Sequence, residues 1–289
     1  MGGGLRIGLH LREPEVNRPE MKLLLRIVRS VALVYVALVL LFAGCQNRML
    51  YFPSHAKEEA LLAEAQGAGI APWRDGRGAL IGWKAGKPNG ARRMVVFHGN
   101  AGYALQRMYY AEGLESMDWE VYLFEYPGYG AREGTPGKEA FLAAGRAAVG
   151  ELLAADSRPL YLLGESIGSG TACSLAAESP QHIAGLLLVV PFARLVEVAK
   201  KHFPFLPVER LLHDRYDNIA SLAKYRGPVA IVLAENDDLI PAEQARKLHA
   251  AYAGPKHLIA LPGAGHNDFP NDRTELWWRE VGAFFERGR

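Results

Sequence analysis

Short apolar runs recur along residues 78–261 with helix-like segments between them, and this alternation limits the chain to very few folds. GALIGWKAG (78–86), RMVVF (93–97), WEVYLF (119–124), PLYLLG (159–164), IAGLLLVV (183–190), PVAIVLA (228–234) and KHLIAL (256–261) read as strands. Most of them lack the apolar–polar alternation of a strand with one wet face, so both faces must be covered. Apolar residues at helical spacing are expected to form helices over 103–117, 137–155, 167–179, 239–252 and 272–288. The pattern predicts an α/β fold, a doubly wound and mostly parallel sheet. Residues 192–227 break the alternation between two strands and are expected to form a short cap insertion, or a rim packed on the core.

One junction in this pattern carries a chemical signal. At YLLGESIGSG (161–170) an apolar strand runs into a small-residue helix through a G-x-S-x-G turn centred on Ser166. With 31 glycines in 289 residues and nine serines, chance alone supplies about 0.1 such matches. The motif therefore needs its context, and the context is present. Glycines at 164 and 168 make room for an abrupt strand-to-helix turn that exposes the middle residue, as a nucleophile requires. A serine needs a base near neutral pH, and the base needs an orienting acid. VLAENDDLIP places Asp237 and Asp238 just after a strand, and LPGAGHNDFP places His266 in a Gly-rich loop after the next. In a parallel sheet these strand ends share one edge, and serine, acid and histidine follow in the order of a nucleophile-elbow enzyme.

These residues carry a resemblance. LYFP, DGRGALIGW, VVFHGNAG, YPGYG, GESIGSG, ENDDLIP and GAGHND, spread over residues 50–289, resemble the α/β-hydrolase superfamily. They are most similar to the serine hydrolases that include membrane-anchored eukaryotic deacylases and their bacterial relatives. The resemblance implies an acid four residues before the proline of a D-x-x-[IV]-P element; Pro241 then selects Asp237 over its neighbour Asp238. Ala234 stands where that family usually has glycine. The resemblance also implies an oxyanion hole formed by the backbone amides of Asn100 and Ile167. His98 is expected to hold the HGNAG loop, and Asn267 and Asp268 to form a turn. Trp277, Trp278, Phe284 and Phe285 have the spacing of a helix face packed on the sheet.

The N-terminus reads differently. Lys22, Arg26 and Arg29 precede an uncharged stretch from Ser30 to Gly44, the layout of a secretory signal. LFAGC (41–45) resembles a bacterial lipobox, with Phe42 in place of the usual leucine, and makes Cys45 a candidate for lipid attachment. A single uncleaved transmembrane anchor and a cleaved soluble form are the alternatives. Residues 1–20 fit no signal, so Met21 is a candidate start. The other cysteine, Cys173, falls in apolar helix sequence and reads as a small core residue.

Charge narrows the partners. Residues 1–44 hold six Lys/Arg against three Asp/Glu, which leaves 27 basic and 28 acidic residues in the remainder. A nearly neutral body lacks the basic face that nucleic acid needs. Metal-ligand spacings, a Walker loop and a dinucleotide fingerprint are absent from the sequence, so neither cofactor nor metal is expected. The expected organisation is a signal or anchor over 1–44, a tether and N-terminal arm over 45–72, and a hydrolase domain over 73–289 with its cap at 192–227. The expected function is a monomeric serine hydrolase of the cell envelope, membrane-anchored and facing the periplasm. It would cleave carboxylic esters or thioesters of small-molecule, lipid or acylated substrates. Amide or peptide cleavage by the same residues is the alternative within the enzyme class; a non-catalytic envelope lipoprotein on this fold is the alternative outside it.

Overall fold

The computed structural model describes residues 18–287 and divides the chain into two units, residues 1–44 and 45–289. In the first unit the described residues belong to helix α1 (Arg18–Leu50). Its stretch Met21–Leu50 contains an 18-residue window of mean hydropathy 2.3 and is long and apolar enough to cross a membrane. At about 1.5 Å per residue such a helix exceeds the roughly 30 Å of a bilayer's hydrocarbon core. The reading of residues 1–20 as a segment ahead of the true start falls largely outside the described residues.

The second unit opens with elements the apolar pattern did not announce. Residues 45–72, read as a tether and arm, contain the end of α1, the short strand β1 (Phe52–Pro53) and helix α2 (Glu58–Gly67). They also contain the start of strand β2 (Ala71–Arg74). β2 is an edge strand, the position in a sheet where a proline such as Pro72 is tolerated. After it come β3 (Leu80–Gly86), β4 (Arg92–Phe97), the short β5 (Ala101–Gly102), α3 (Met108–Leu114) and β6 (Trp119–Phe124). Then follow α4 (Lys138–Ala155), β7 (Leu160–Glu165), α5 (Ile167–Glu178) and β8 (Ile183–Val189). Segment 192–227 holds α6 (Leu195–His202), α7 (Val208–Leu211) and α8 (Asn218–Leu222). The chain closes with β9 (Val229–Ala234), α9 (Ala242–Ala251), β10 (Lys256–Leu261) and α10 (Leu276–Arg287).

The main sheet runs β10-β9-β8-β7-β4-β6-β3-β2. Every pairing from β10 to β6 is parallel, while β3 and β2 are added antiparallel at one edge. The unbroken apolar runs are explained by the two layers they serve. In β4, Val95 and Phe97 enter one core cluster and Met94 and Val96 the other; β9 divides in the same way into Val229, Ile231 and Leu233 against Ala230, Val232 and Ala234. Residues of α4, α5 and α9 cover the first face, and residues of α3 and α10 cover the second. Trp277, Trp278 and Phe285 are buried on that second face, Phe284 is partly buried beside them, and Trp277 and Trp278 stack with ring centroids 3.6 Å apart. Cys173 is fully buried in the first cluster, and burial pushes its thiol pKa up, as expected for an inert core residue.

The cap segment is built into the domain. Phe192, Leu195, Val198, Leu212, Tyr216 and Leu222 are all buried in the first cluster. The fully buried Asn218 donates from Nδ2 to the Phe192 carbonyl (2.9 Å) and to Ser169 Oγ (3.0 Å). From the other side, the Gln46 amide donates to the Leu211 carbonyl and accepts from the His213 N–H at 2.8 Å. Tyr51 donates its hydroxyl to Asp214 at 2.6 Å.

Candidate active site

The parallel sheet brings the chain ends after β7, β9 and β10 to one edge, and Ser166, Asp237 and His266 stand there. Ser166 occupies the turn between β7 and α5 with φ 52° and ψ −117°. A non-glycine residue in that conformation carries about 1–3 kcal/mol of strain, held in place by the surrounding structure. Three hydrogen bonds hold its backbone: the Ser166 N–H donates to the Val189 carbonyl (2.9 Å), and the Ser166 carbonyl accepts from the Ser169 N–H (3.0 Å) and Ser169 Oγ (2.6 Å).

The flanking glycines are needed for close approach. A Cβ on Gly164 would lie 2.5 Å from Ser169 Cα, and one on Gly168 would lie 2.0 Å from the Phe97 carbonyl oxygen. The start of α5 therefore rests directly on the backbone at the end of β4. Gly168→Ala is expected to destabilise the domain by about 3 kcal/mol, the upper end of overpacking costs, because the clash is with backbone that cannot rotate away. Thermal unfolding of the variant beside wild type measures this; an unchanged midpoint would mean that the helix start can shift.

Two loops register the partners. The Asn236 N–H donates to the Ala264 carbonyl (2.8 Å), linking the loop after β9 to the loop after β10. Asp268 Oδ1 accepts from the Gly265 N–H (2.6 Å) and braces the turn that carries His266, as expected of a turn former. His266 Nδ1 then lies 2.7 Å from Asp237 Oδ2, and His266 Nε2 lies 2.9 Å from Ser166 Oγ. The carboxylate can only accept, so Nδ1 carries the proton and Nε2 is left to accept from the serine hydroxyl. The other Asp237 oxygen accepts from the Leu239 (3.0 Å) and Ile240 (2.7 Å) amides. Asp237 is buried and Asp238 is exposed, so the structure brings the first acid, and not its neighbour, to the histidine. All three linked side chains are under 10% exposed, with Ser166 at 6%, Asp237 at 7% and His266 at 7%.

Asn100 follows β4 in the loop that meets the start of α5, and Ile167 is the first residue of that helix. A helix's first amides have no intrahelical acceptor, which leaves the Ile167 N–H available to a ligand. The Asn100 carbonyl accepts from the Phe52 N–H and the Tyr129 hydroxyl, each at 2.8 Å. His98 is fully buried, with Nδ1 2.8 Å from the Gly99 carbonyl and its ring 4.5 Å from that of Tyr126. It holds the loop, as expected. Among the described residues there is no group of three or more His, Cys, Asp or Glu side chains that could hold a metal ion.

The sequence reading missed Glu165, the residue before the serine. Its carboxylate is buried and accepts from Arg107 Nε (3.1 Å to Oε2) and from the Tyr109 and Tyr110 hydroxyls (3.0 Å each). Burial works against its charge, but the Arg107 guanidinium and these hydrogen bonds outweigh that and hold its pKa below the ordinary glutamate value. The available signal was a lone acid inside an apolar strand, which demands a partner when buried.

Comparison with known proteins agrees with this architecture. The family model Hydrolase_4, described as serine aminopeptidase S33, matches residues 88–219. The chain is 35% identical over 252 residues to the uncharacterized protein Rv2307c of Mycobacterium tuberculosis, covering 84% of this chain and 88% of that one. It is 27% identical over 221 residues to lysophosphatidylserine lipase ABHD12 of Macaca fascicularis, covering 68% of this chain and 52% of the lipase. Among solved structures, the monoacylglycerol lipase of Paleococcus ferrophilus superposes with a TM-score of 0.55 at 20% identity, over 71% of this chain and 98% of that one. With its sheet order, its strained serine turn and these relatives, the chain belongs to the α/β-hydrolase superfamily.

Proposed function

We propose that this protein is a serine hydrolase of carboxylic esters or thioesters that works through an acyl-enzyme. The observation that carries the reading is the buried chain of hydrogen bonds from Ser166 Oγ through His266 to Asp237, at 2.9 and 2.7 Å. His266 Nε2 takes the hydroxyl proton as Ser166 Oγ attacks the acyl carbonyl, and Asp237 orients the ring and stabilises its positive charge. The amides of Ile167 and Asn100 receive the developing oxyanion. The imidazolium returns its proton to the leaving oxygen or sulfur, and a water activated by the same base releases the acyl group. Lipid-type substrates fit the relative named as a lysophosphatidylserine lipase. The family model named for an aminopeptidase supports a second reading, amide cleavage by the same residues.

A panel of p-nitrophenyl acyl esters, acyl thioesters and aminoacyl anilides, from short to long acyl groups, separates these readings. An alkyl fluorophosphonate mapped by peptide mass to Ser166 identifies the nucleophile. Turnover of esters and thioesters with slow anilide hydrolysis is the expected result. Anilide turnover that exceeds ester turnover selects the amide reading, and no reaction of Ser166 with the phosphonate removes both.

The reading takes the protein as membrane-attached in the cell envelope and facing the periplasm, supported by an N-terminal helix long and apolar enough to cross a membrane. Two forms of attachment differ at Cys45. If its thiol is acylated, wild type incorporates labelled fatty acid and Cys45→Ser does not, and the mature chain begins at residue 45. If α1 is retained as an anchor, neither incorporates label and both keep the full-length mass in the membrane fraction.

A further inference from the structure

We propose that Arg107 is a positioning residue that aims the Asn100 amide at the oxyanion, by bridging the carboxylate of Glu165 to the carbonyl of Ala101. The proposal rests on the reading above, in which that amide receives the oxyanion, and it adds a residue from outside the serine, histidine and aspartate set.

The argument starts from the loop after β4. A trans peptide is planar, so fixing a carbonyl on one side of the chain turns the following N–H to the opposite side. The peptide that ends in the Asn100 N–H begins with the Gly99 carbonyl, which lies 2.8 Å from His98 Nδ1. The next carbonyl, of Asn100, is held by Phe52 and Tyr129. The third, of Ala101, accepts from Arg107 Nη2 at 3.1 Å. Three successive carbonyls are thus pinned. The first orients the Asn100 N–H directly. The last, held by a charged side chain that also reaches the strand carrying the serine, fixes the position of the segment just after Asn100 and so the register of the whole loop.

That reach is direct. Arg107 Nε lies 3.1 and 3.3 Å from the two Glu165 oxygens, and Glu165 is joined to Ser166 by one peptide bond. The carboxylate also touches the loop from the other side of Asn100: a Cβ on Gly99 would sit 2.6 Å from Glu165 Oε1. Asn100 is therefore flanked by Gly99, packed on the carboxylate, and by Ala101, bonded to the guanidinium. Tyr109 and Tyr110 hold the same carboxylate in place from α3. A planar guanidinium supplies separate donors to both partners, whereas a lysine ammonium brings the charge without that fork. The consequence is a loop held in register with the nucleophile's strand by one side chain, and a shift of about 1 Å in such a donor can cost up to 10²-fold in rate.

The test uses the full chain in detergent, with Arg107→Lys, Arg107→Gln and the double variant Arg107→Gln/Glu165→Gln. The double variant removes the buried carboxylate that Arg107→Gln alone would leave without its cation, and it is the one measured if the single variant does not fold. The readouts are kcat and KM on the best p-nitrophenyl ester, and the Ki of an alkyl boronic acid that forms a tetrahedral adduct. Arg107→Gln, or the double variant in its place, is expected to lower kcat by about 10- to 100-fold with KM within threefold, and to raise the boronate Ki by a similar factor. Arg107→Lys is expected to unfold near the wild-type temperature yet keep the reduced kcat. Full recovery of kcat by lysine would show that only charge is needed, and would overturn the bridge to Ala101. Unchanged kcat in a folded glutamine variant overturns the proposal outright. A wild type whose Ser166 does not react with fluorophosphonate fails the underlying reading instead, so the two failures are distinguishable.

Discussion

Ser166→Ala is expected to lower kcat for ester hydrolysis by about 10⁴- to 10⁶-fold while leaving the thermal unfolding temperature within a few degrees of wild type. The magnitude follows from serine hydrolases in general, where losing the nucleophile costs nearly as much as losing the whole set, because the three residues act as a unit. The stability expectation has a separate origin. The strained turn is held by backbone hydrogen bonds of Ser166 and by Ser169, none of which involves the Ser166 hydroxyl. Alanine removes the single contact from Oγ to His266 and keeps the rest. Initial rates on the ester panel and a melting curve measure both. Ester turnover that survives in the alanine variant would place the chemistry elsewhere, and a collapse of stability would mean that the turn depends on the hydroxyl.

Asp237→Asn is expected to lower kcat by about 10⁴-fold, whereas Asp238→Asn stays within twofold of wild type. Asp237 Oδ1 accepts from two backbone amides, at Leu239 and Ile240. An asparagine there must offer its carbonyl oxygen to those amides, which turns its NH₂ toward His266 Nδ1. The histidine then has to accept at Nδ1 and carry its proton on Nε2, the wrong tautomer for taking a proton from serine; the corresponding change in chymotrypsin-type enzymes costs about this factor. Asp238 is exposed and makes no described contact with the histidine. Rates for the two variants over pH 5–9 check the assignment. Equal losses, or a larger loss at Asp238, would reverse it.

Much of the site's scaffold is legible in the amino-acid sequence. The strands after which Ser166, Asp237 and His266 stand announce themselves as unbroken apolar runs, because a strand buried on both faces has no polar side to show. The choice between Asp237 and Asp238 is of another kind. It needs the spacing to Pro241 to make it, and the burial of Asp237 beside His266 agrees with it. Strand β2 escapes the apolar pattern because Ala71–Arg74 is short, contains proline and lies at a sheet edge, so it lacks the apolar density of the central strands. The end of α1 and helix α2 are hidden inside a segment whose mixed polarity reads as a tether.

What the sequence determined by itself is the class of the fold and the candidate set of Ser166, Asp237 and His266, since periodicity and chain order are local and linear properties. Only the tertiary structure decided how those groups are supported. The contact between Arg107 and Glu165 spans 58 positions, and that between Gln46 and His213 spans 167. Neither leaves a periodic trace in the chain, because a single side chain crossing between elements is positioned by loop backbone and by the packing of the sheet.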